Sequence, residues 1–174
     1  MPTNIEIKFR VDDLGAVEQK AAAIADDGPQ LLVQEDVFFH TVQGRLKLRK
    51  FADQPAELIA YHRIDSTDVR QSKWHCCPVE DPDALQKALT LTIGQGVTVR
   101  KNRVLYLVGK TRVHLDRVEQ LGDFVELEVV LANGDTEQMG QSVANDLIER
   151  LGLVDAGRVS VAYADLIASK TKAG

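Results

Sequence analysis

Charged side chains recur at every second position in four separate stretches, a period that admits little besides β-strands carrying one charged face. In residues 3–11, Ile5, Ile7, Phe9 and Val11 alternate with Asn4, Glu6, Lys8 and Arg10. Arg45, Lys47 and Arg49 alternate with Leu46 and Leu48, and Lys101 and Arg103 repeat the spacing further on. Glu126 and Glu128 alternate with Val125, Leu127 and Val129. Successive side chains on a strand point to opposite sides, so each stretch gathers its charges on one face.

The rest of the chain fits around those strands. Asp12 or Asp13 can cap a helix with Leu14, Val17, Ala21 and Ile24 on one side, ended by Gly28-Pro29. Residues 31–41, 44–51, 57–64 and 69–78 read as four strands, with turn chemistry at Gln43-Gly44 and around Pro55. Asp81-Pro82 opens a second helix, striped by Leu85 and Leu89 and closed by Gly94. Three more strands follow over 97–107, 110–118 and 123–132, broken by Asn133-Gly134-Asp135. Thr136 then caps a helix striped by Met139, Val143, Leu147 and Leu151, and a short helix from Tyr163 to Ala168 ends the pattern. Runs of neighbouring strands joined by tight turns argue for antiparallel pairing and an α+β class. About eight strands is also a number at which a sheet can close into a barrel.

With 174 residues, no repeat and no linker, the pattern describes a single domain spanning 1–174. No apolar run is long enough to span a membrane, and MPTNIEIKFR lacks an apolar signal core. A cytoplasmic protein with no membrane partner is the resulting expectation. The net charge of -5 argues against a general nucleic-acid binder. The only cysteines, Cys76 and Cys77, are adjacent; a disulfide between them would be strained, so both should be reduced, one of them buried.

Taken one at a time, such strands fit a solvated outer face. As a set they do not, because the signs are segregated by strand, whereas a merely soluble face mixes them. If the helices cover the apolar strand faces, the charged faces converge inside. Opposed cations and carboxylates in an interior are costly unless a ligand pairs them. A polyphosphate with a divalent metal would do so: arginine and lysine satisfy phosphate oxygens, and paired carboxylates hold Mg²⁺ or Mn²⁺. Arg63 and Arg70 lie on the strands between, and Arg112, His114 and Asp116 alternate just before the acidic pair. The chain has no glycine-rich phosphate loop, so side chains must do the gripping.

The segments IEIKFR, LKLR, VRKNR, TRVHLD and LGDFVELE, in that order, resemble the CYTH domain of the triphosphate tunnel metalloenzymes. The resemblance runs from Asn4 to the Tyr163 ending, and YLVGKTRVHLDRVEQLGDFVELE is similar to the class IV (CyaB-type) adenylate cyclase branch. It implies a closed, eight-stranded antiparallel β-barrel, a tunnel with helices packed outside, that takes a small-molecule triphosphate with Mg²⁺ or Mn²⁺. It further implies metal ligation by Glu6, Glu126 and Glu128 and phosphate binding by Lys47, Arg49, Arg63, Lys101 and Arg103. Lys8, Arg112 and Asp116 fall on its catalytic tunnel positions, while an inward His114 reads as a hydrogen-bonded structural residue. The first glutamate of the family's opening ExExK is Asn4 here, and Arg63 stands where many relatives have lysine.

The resemblance implies ATP conversion to cyclic AMP and pyrophosphate. A triphosphatase releasing phosphate is the alternative within the same tunnel. A polyphosphate or nucleotide sensor without turnover is the reading that Asn4 favours. The aromatic content of 5% suggests no base-stacking platform.

Overall fold

The structure, a computed structural model, describes residues 3–63, 72–132 and 134–173. Among them nine strands form one antiparallel sheet: β1 (Thr3–Arg10), β2 (Asp27–Phe39), β3 (Arg45–Phe51), β4 (Ala56–Arg63), β5 (Ser72–Val79), β6 (Gln95–Val108), β7 (Thr111–Val118), β8 (Gly122–Leu131) and β9 (Gly157–Arg158). Four helices accompany it: α1 (Leu14–Ile24), α2 (Pro82–Ile93), α3 (Glu137–Leu151) and α4 (Tyr163–Ala173). The α+β class holds. No helix among the described residues is long and apolar enough to cross a membrane.

The order β5-β4-β3-β2-β6-β7-β8-β1-β9 has two ends, so the sheet does not close into the expected eight-stranded barrel. The reason lies at β1. Its free edge is taken by β9, through Phe9 opposite Arg158 and Arg10 opposite Gly157, and the Val159 amide donates to the Lys8 carbonyl. The segment leading into α4 thus occupies the edge on which a closing strand would pair. The sheet still curls far enough that residues from β1 to β8 line one cavity.

The apolar sides of the alternating strands turn outward under α1, α2 and α3. Phe9, Val113, Leu115, Val125 and Leu127 pack with Leu14, Val17 and Ala21 of α1 and Leu147 and Leu151 of α3. Val37, Phe39 and Leu48 meet Leu85 and Leu89 of α2. All three helices begin at a side-chain cap, Asp13 to the Ala16 amide, Asp81 to Ala84 and Thr136 to Met139, each stabilising by about 1 kcal/mol.

The fourth helix departs from the expectation that helices pack outside. Tyr163, Ala164 and Ile167 pack on Val99, Val118 and Phe124, which share a strand face with Lys101, Asp116 and Glu126. α4 therefore lies on the charged side of the sheet. Two local expectations also shift. α1 ends at Ile24 with Ala25 as its C-cap, and Gly28-Pro29 lies inside β2. On α3, Met139 and Val143 are exposed, and the buried stripe starts at Gly140 and Ala144. A Cβ at Gly140 would come within 2.5 Å of Ile5 Cδ1 and 2.6 Å of Leu131 Cδ2, so the helix docks on its smallest residue.

Candidate active site

Antiparallel register lines the inward side chains up in rows. Glu6, Glu128 and Arg112 form one row across β1, β8 and β7, and Lys8, Glu126 and His114 form the next. Arg103 faces Asp116 across β6 and β7. On the other limb, Asp36, Arg49 and Glu57 align across β2, β3 and β4, with Phe38, Lys47 and Ile59 beside them. The two limbs face one cavity of about 500 Å³.

The basic limb is organised by one carboxylate. Asp36, 3% exposed, accepts from Arg49 Nε at 2.7 Å and Nη2 at 2.8 Å, from Lys47 Nζ at 2.9 Å and from Lys101 Nζ at 3.2 Å. Burial alone would raise its pKa, but Lys101, Lys47 and Arg49 outweigh that and hold it well below the usual carboxylate range. The cations share too little negative charge among them. Burial, reinforced by Arg49 and Lys101, pushes the Lys47 ammonium down to about 7 against the pull of Asp36. Burial likewise lowers Lys101. Three cations around one carboxylate leave a local excess of positive charge, a ready site for a polyanion.

The acidic limb is organised differently. Glu126 pairs with Lys8 Nζ at 3.4 Å and Arg103 Nη2 at 3.1 Å, and His114 Nδ1 stands 3.7 Å away. Its burial is outweighed by Lys8, His114 and Arg103, which keep it well below the ordinary glutamate value. Glu128 accepts from Asn4 Nδ2 at 2.5 Å and Arg112 Nη1 at 3.0 Å, with His114 Nε2 at 3.9 Å. His114, which burial and Arg103 hold below its ordinary pKa, thus sits between two carboxylates. Its Nδ1 is buried without a hydrogen bond.

Arg103 joins the limbs. It binds Asp116 through Nε at 2.6 Å and Nη2 at 2.7 Å, and reaches Glu126 through the same Nη2. The Tyr163 hydroxyl donates to Asp116 at 2.8 Å, and burial with the nearby Asp116 and Glu126 raises the phenol's pKa, which keeps it a donor. Lys8 Nζ lies 4.2 Å from the Tyr163 ring centroid, and the ring meets Phe124 edge-on at 4.9 Å.

Among the described residues no group of three His, Cys, Asp or Glu side chains converges as a ready-made metal cluster. The donor chemistry nevertheless fits a hard cation. Glu6 and Glu128 are direct cross-strand partners, a like-charge pairing that a cation would relieve. Asn4 Oδ1, beside them, is buried with no hydrogen-bond donor. Mg²⁺ is commonly held by one or two carboxylates plus substrate phosphates, without an all-protein cage.

Nine residues singled out from the sequence line this cavity together: Glu6, Lys8, Lys47, Arg49, Lys101, Arg103, Arg112, Glu126 and Glu128. His114 joins them. Asp116 does not line it; fully buried, its oxygens are taken by Arg103 and Tyr163, so it holds Arg103 and does not face a ligand. The Arg63 side chain and Arg70 lie outside the described residues. Cys76 and Cys77 are both free and exposed, correcting the expectation that one is buried; they sit on the sheet-end strand β5.

Reading the sequence alone misses Asp36, Glu57 and Tyr163. Asp36 has a signal, since Gln34, Asp36 and Phe38 share a strand face, but Glu35 beside it masks the alternation. Tyr163 has none, because its partners lie 47 residues away at Asp116 and on β1 and β8.

The fold and site together define an α+β domain whose antiparallel sheet curls around opposed cations and carboxylates. The CYTH domain family model matches residues 2–163, and the chain belongs to that family. Among solved structures it is similar to the PH1012 protein of Pyrococcus horikoshii OT3, with 25% identity over 94% of this chain and 98% of that one, TM-score 0.82. It also shares its fold with a candidate adenylate cyclase of Vibrio parahaemolyticus (18% identity, 95% and 98% coverage, TM-score 0.70). A third is HpAC1 of Hippeastrum, a candidate adenylyl cyclase with a dominant triphosphatase activity (15%, 98% and 96%, TM-score 0.73). No curated protein matched.

Proposed function

We propose that this chain is a divalent-metal-dependent enzyme acting on a triphosphate, converting ATP to cyclic AMP and pyrophosphate as a class IV adenylate cyclase does. The observation that carries the reading is the opening of a cation-rich limb and a carboxylate row into the same cavity. The family acts on triphosphates and depends in general on divalent metals.

In this reading Lys47, Arg49 and Lys101 bind phosphate oxygens, and each oxygen they take lightens their reliance on Asp36. Arg103, fixed bidentately by Asp116, presents its remaining charge where the limbs meet, as a preorganised donor to charge developing in the transition state. Lys8 and Arg112 flank the carboxylate row and orient the reacting end. Glu6 and Glu128, with the Asn4 carbonyl, would hold the metal together with substrate oxygens. Bound there, the ion would neutralise phosphate oxygens and polarise the phosphorus under attack. Glu126, committed to Lys8 and Arg103, is the third carboxylate within reach of the same end. In cyclisation the ribose 3′-hydroxyl gives its proton to solvent as its oxygen bonds to the α-phosphorus, the bridge to the β-phosphate breaks and pyrophosphate leaves.

A triphosphatase is the second reading, favoured by one observation. Glu6 is exposed and the Arg112 side chain is 49% exposed, so water has access to the carboxylate end. Register of the triphosphate decides which phosphorus meets a nucleophile. The deciding experiment incubates the chain with ATP or tripolyphosphate and Mg²⁺ or Mn²⁺ and identifies the products. Cyclic AMP with pyrophosphate supports the cyclase, and orthophosphate supports the triphosphatase. Binding without turnover would mark a sensor, and no binding of any triphosphate with metal would overturn the reading altogether.

A further inference from the structure

The two limbs of the cavity are joined by strand pairing on one side only. There β2 pairs with β6; opposite them the sheet has two ends, β5 and β9. Among the described residues, no ladder bond sets how far apart the limbs stand on that open side.

The first turn of α4 reaches both limbs. Asp165 Oδ2 pairs with Arg45 Nη2 of β3 at 3.0 Å and accepts the Ala162 amide at 3.3 Å, which ties the start of the helix to the basic limb. Two residues earlier the buried Tyr163 reaches the acidic limb. Its hydroxyl donates to Asp116 Oδ2 at 2.8 Å, the same oxygen that accepts Arg103 Nη2 at 2.7 Å. Its ring, braced by Phe124, stands 4.2 Å from Lys8 Nζ.

An arginine–carboxylate pair held only by its own two bonds can swing as a unit about the aspartate side-chain torsions. A third donor, carried on a separate helix, removes that freedom and leaves Arg103 one orientation. Lys8 has a flexible four-carbon stem, and Glu126 at 3.4 Å is a loose partner. The ring face narrows where its ammonium comes to rest. One tyrosine thus supports both cations that pair with Glu126. Packing alone does not call for its hydroxyl, since Phe124 fills the same apolar cluster without one.

We propose that Tyr163 is a positioning residue for the reaction: its hydroxyl fixes Arg103 through Asp116, its ring fixes Lys8, and the Arg45–Asp165 pair keeps the helix that carries it aligned with the phosphate-binding limb. This rests on the triphosphate reading and goes beyond it by giving the start of α4 a share in turnover.

Two measurements on the full chain test it. The first needs no ligand and reads the NMR signal of the Arg103 Nε proton, whose nitrogen lies 2.6 Å from Asp116 Oδ1. In Tyr163→Phe this proton should exchange with water about tenfold faster, the effect of losing one hydrogen bond to a charged group, while the backbone amide spectrum stays that of a folded chain. The second follows triphosphate turnover with Mg²⁺ or Mn²⁺, beside calorimetric binding of an ATP analogue with imido groups at both phosphorus bridges. Tyr163→Phe should lower kcat about tenfold, and Tyr163→Leu, which also removes the ring beside Lys8, about 100-fold, the scale of a reacting group displaced by about 1 Å. Analogue affinity should stay within about threefold of wild type, because Lys47, Arg49 and Lys101 are unchanged. Ile167→Val, one turn along and in the same apolar cluster, thins the docking of α4 but keeps both contacts of Tyr163, so kcat should stay within about twofold. An unchanged Arg103 Nε signal in Tyr163→Phe, a kcat loss no larger than that of Ile167→Val, or an affinity loss as large as the kcat loss would each overturn the proposal and leave the triphosphate reading standing. Wild type that neither binds nor turns over any triphosphate would overturn that reading, and the role in turnover with it.

Discussion

The two limbs of the cavity solve the same electrostatic problem in opposite ways. On the basic limb a single buried carboxylate, Asp36, neutralises part of three cations. On the acidic limb Lys8, Arg112 and Arg103, the last shared with Asp116, neutralise part of three glutamates set in two neighbouring rows. Each limb is prepaired within the chain, yet each keeps an excess of its own sign. The interior therefore needs no ligand to be tolerable, as the bare segregation of charges suggests it would; a polyanion bound as proposed would replace internal counter-ions that already stand there. The limbs differ in depth only at their extremes, since Glu126 and Glu128 are as buried as Lys47 and Arg49. Asp36 and Lys101 are almost wholly buried, whereas Glu6 is exposed, so their electrostatic stakes differ as well.

That contrast can be broken most directly at its deep end. Asp36→Asn should cost about 3–5 kcal/mol in urea unfolding, because it strips buried cations of their shared partner. Glu6→Gln should stay within about 0.5 kcal/mol of wild type, since the side chain is exposed and its cross-strand neighbour is another glutamate. Similar effects from both changes would dissolve the distinction between the limbs.

A second measurement uses pH. Lys47 sits at about 7 in the folded chain, against about 10.4 for an unperturbed lysine. Between those values the unfolded state binds more protons, so the contribution of Lys47 to stability rises with pH, at most by about 1.4 kcal/mol per pH unit. Below 7 the penalty of burying its charge is constant, and above about 10.4 it is gone. The difference in unfolding free energy between wild type and Lys47→Met should accordingly slope upward between pH 7.5 and 9.5. A flat difference would mean that Asp36 compensates Lys47 fully.

The smallest effect is expected at the open end. Asn4→Glu adds a carboxylate beside Glu6 and Glu128 and should tighten Mn²⁺ binding several-fold, read by calorimetry without substrate. Unchanged affinity would remove position 4 from the metal site and shift attention to Glu126.

Much of this molecule is legible in its local sequence. Strand parity puts Lys47, Arg49, Lys101, Arg103, Glu126 and Glu128 on the same side because side-chain direction on a strand is a local property of the backbone. The same parity puts Phe9, Leu115 and Leu127 on the helix-covered side. Caps at Asp13, Asp81 and Thr136 are equally local, since each bonds an amide three residues on. The α3 stripe holds at Leu147 and Leu151 and shifts by one position only in its first half, where Gly140 and Ala144 take the buried side from Met139 and Val143.

What the chain does not disclose locally are the arrangements made by distant meetings. Asp36 becomes the hub of a cation cluster only when β6 arrives at β2, 65 residues on, bringing Lys101. Asp116 turns from a ligand-facing residue into the holder of Arg103 because Tyr163 claims its second oxygen. Whether the sheet closes depends on which segment takes the β1 edge, and β9 does. Alternation dictates the face a residue takes and the sign that face carries. Register and long-range packing alone decide which faces meet, what each charge is paired with, and where an aromatic ring stands among them.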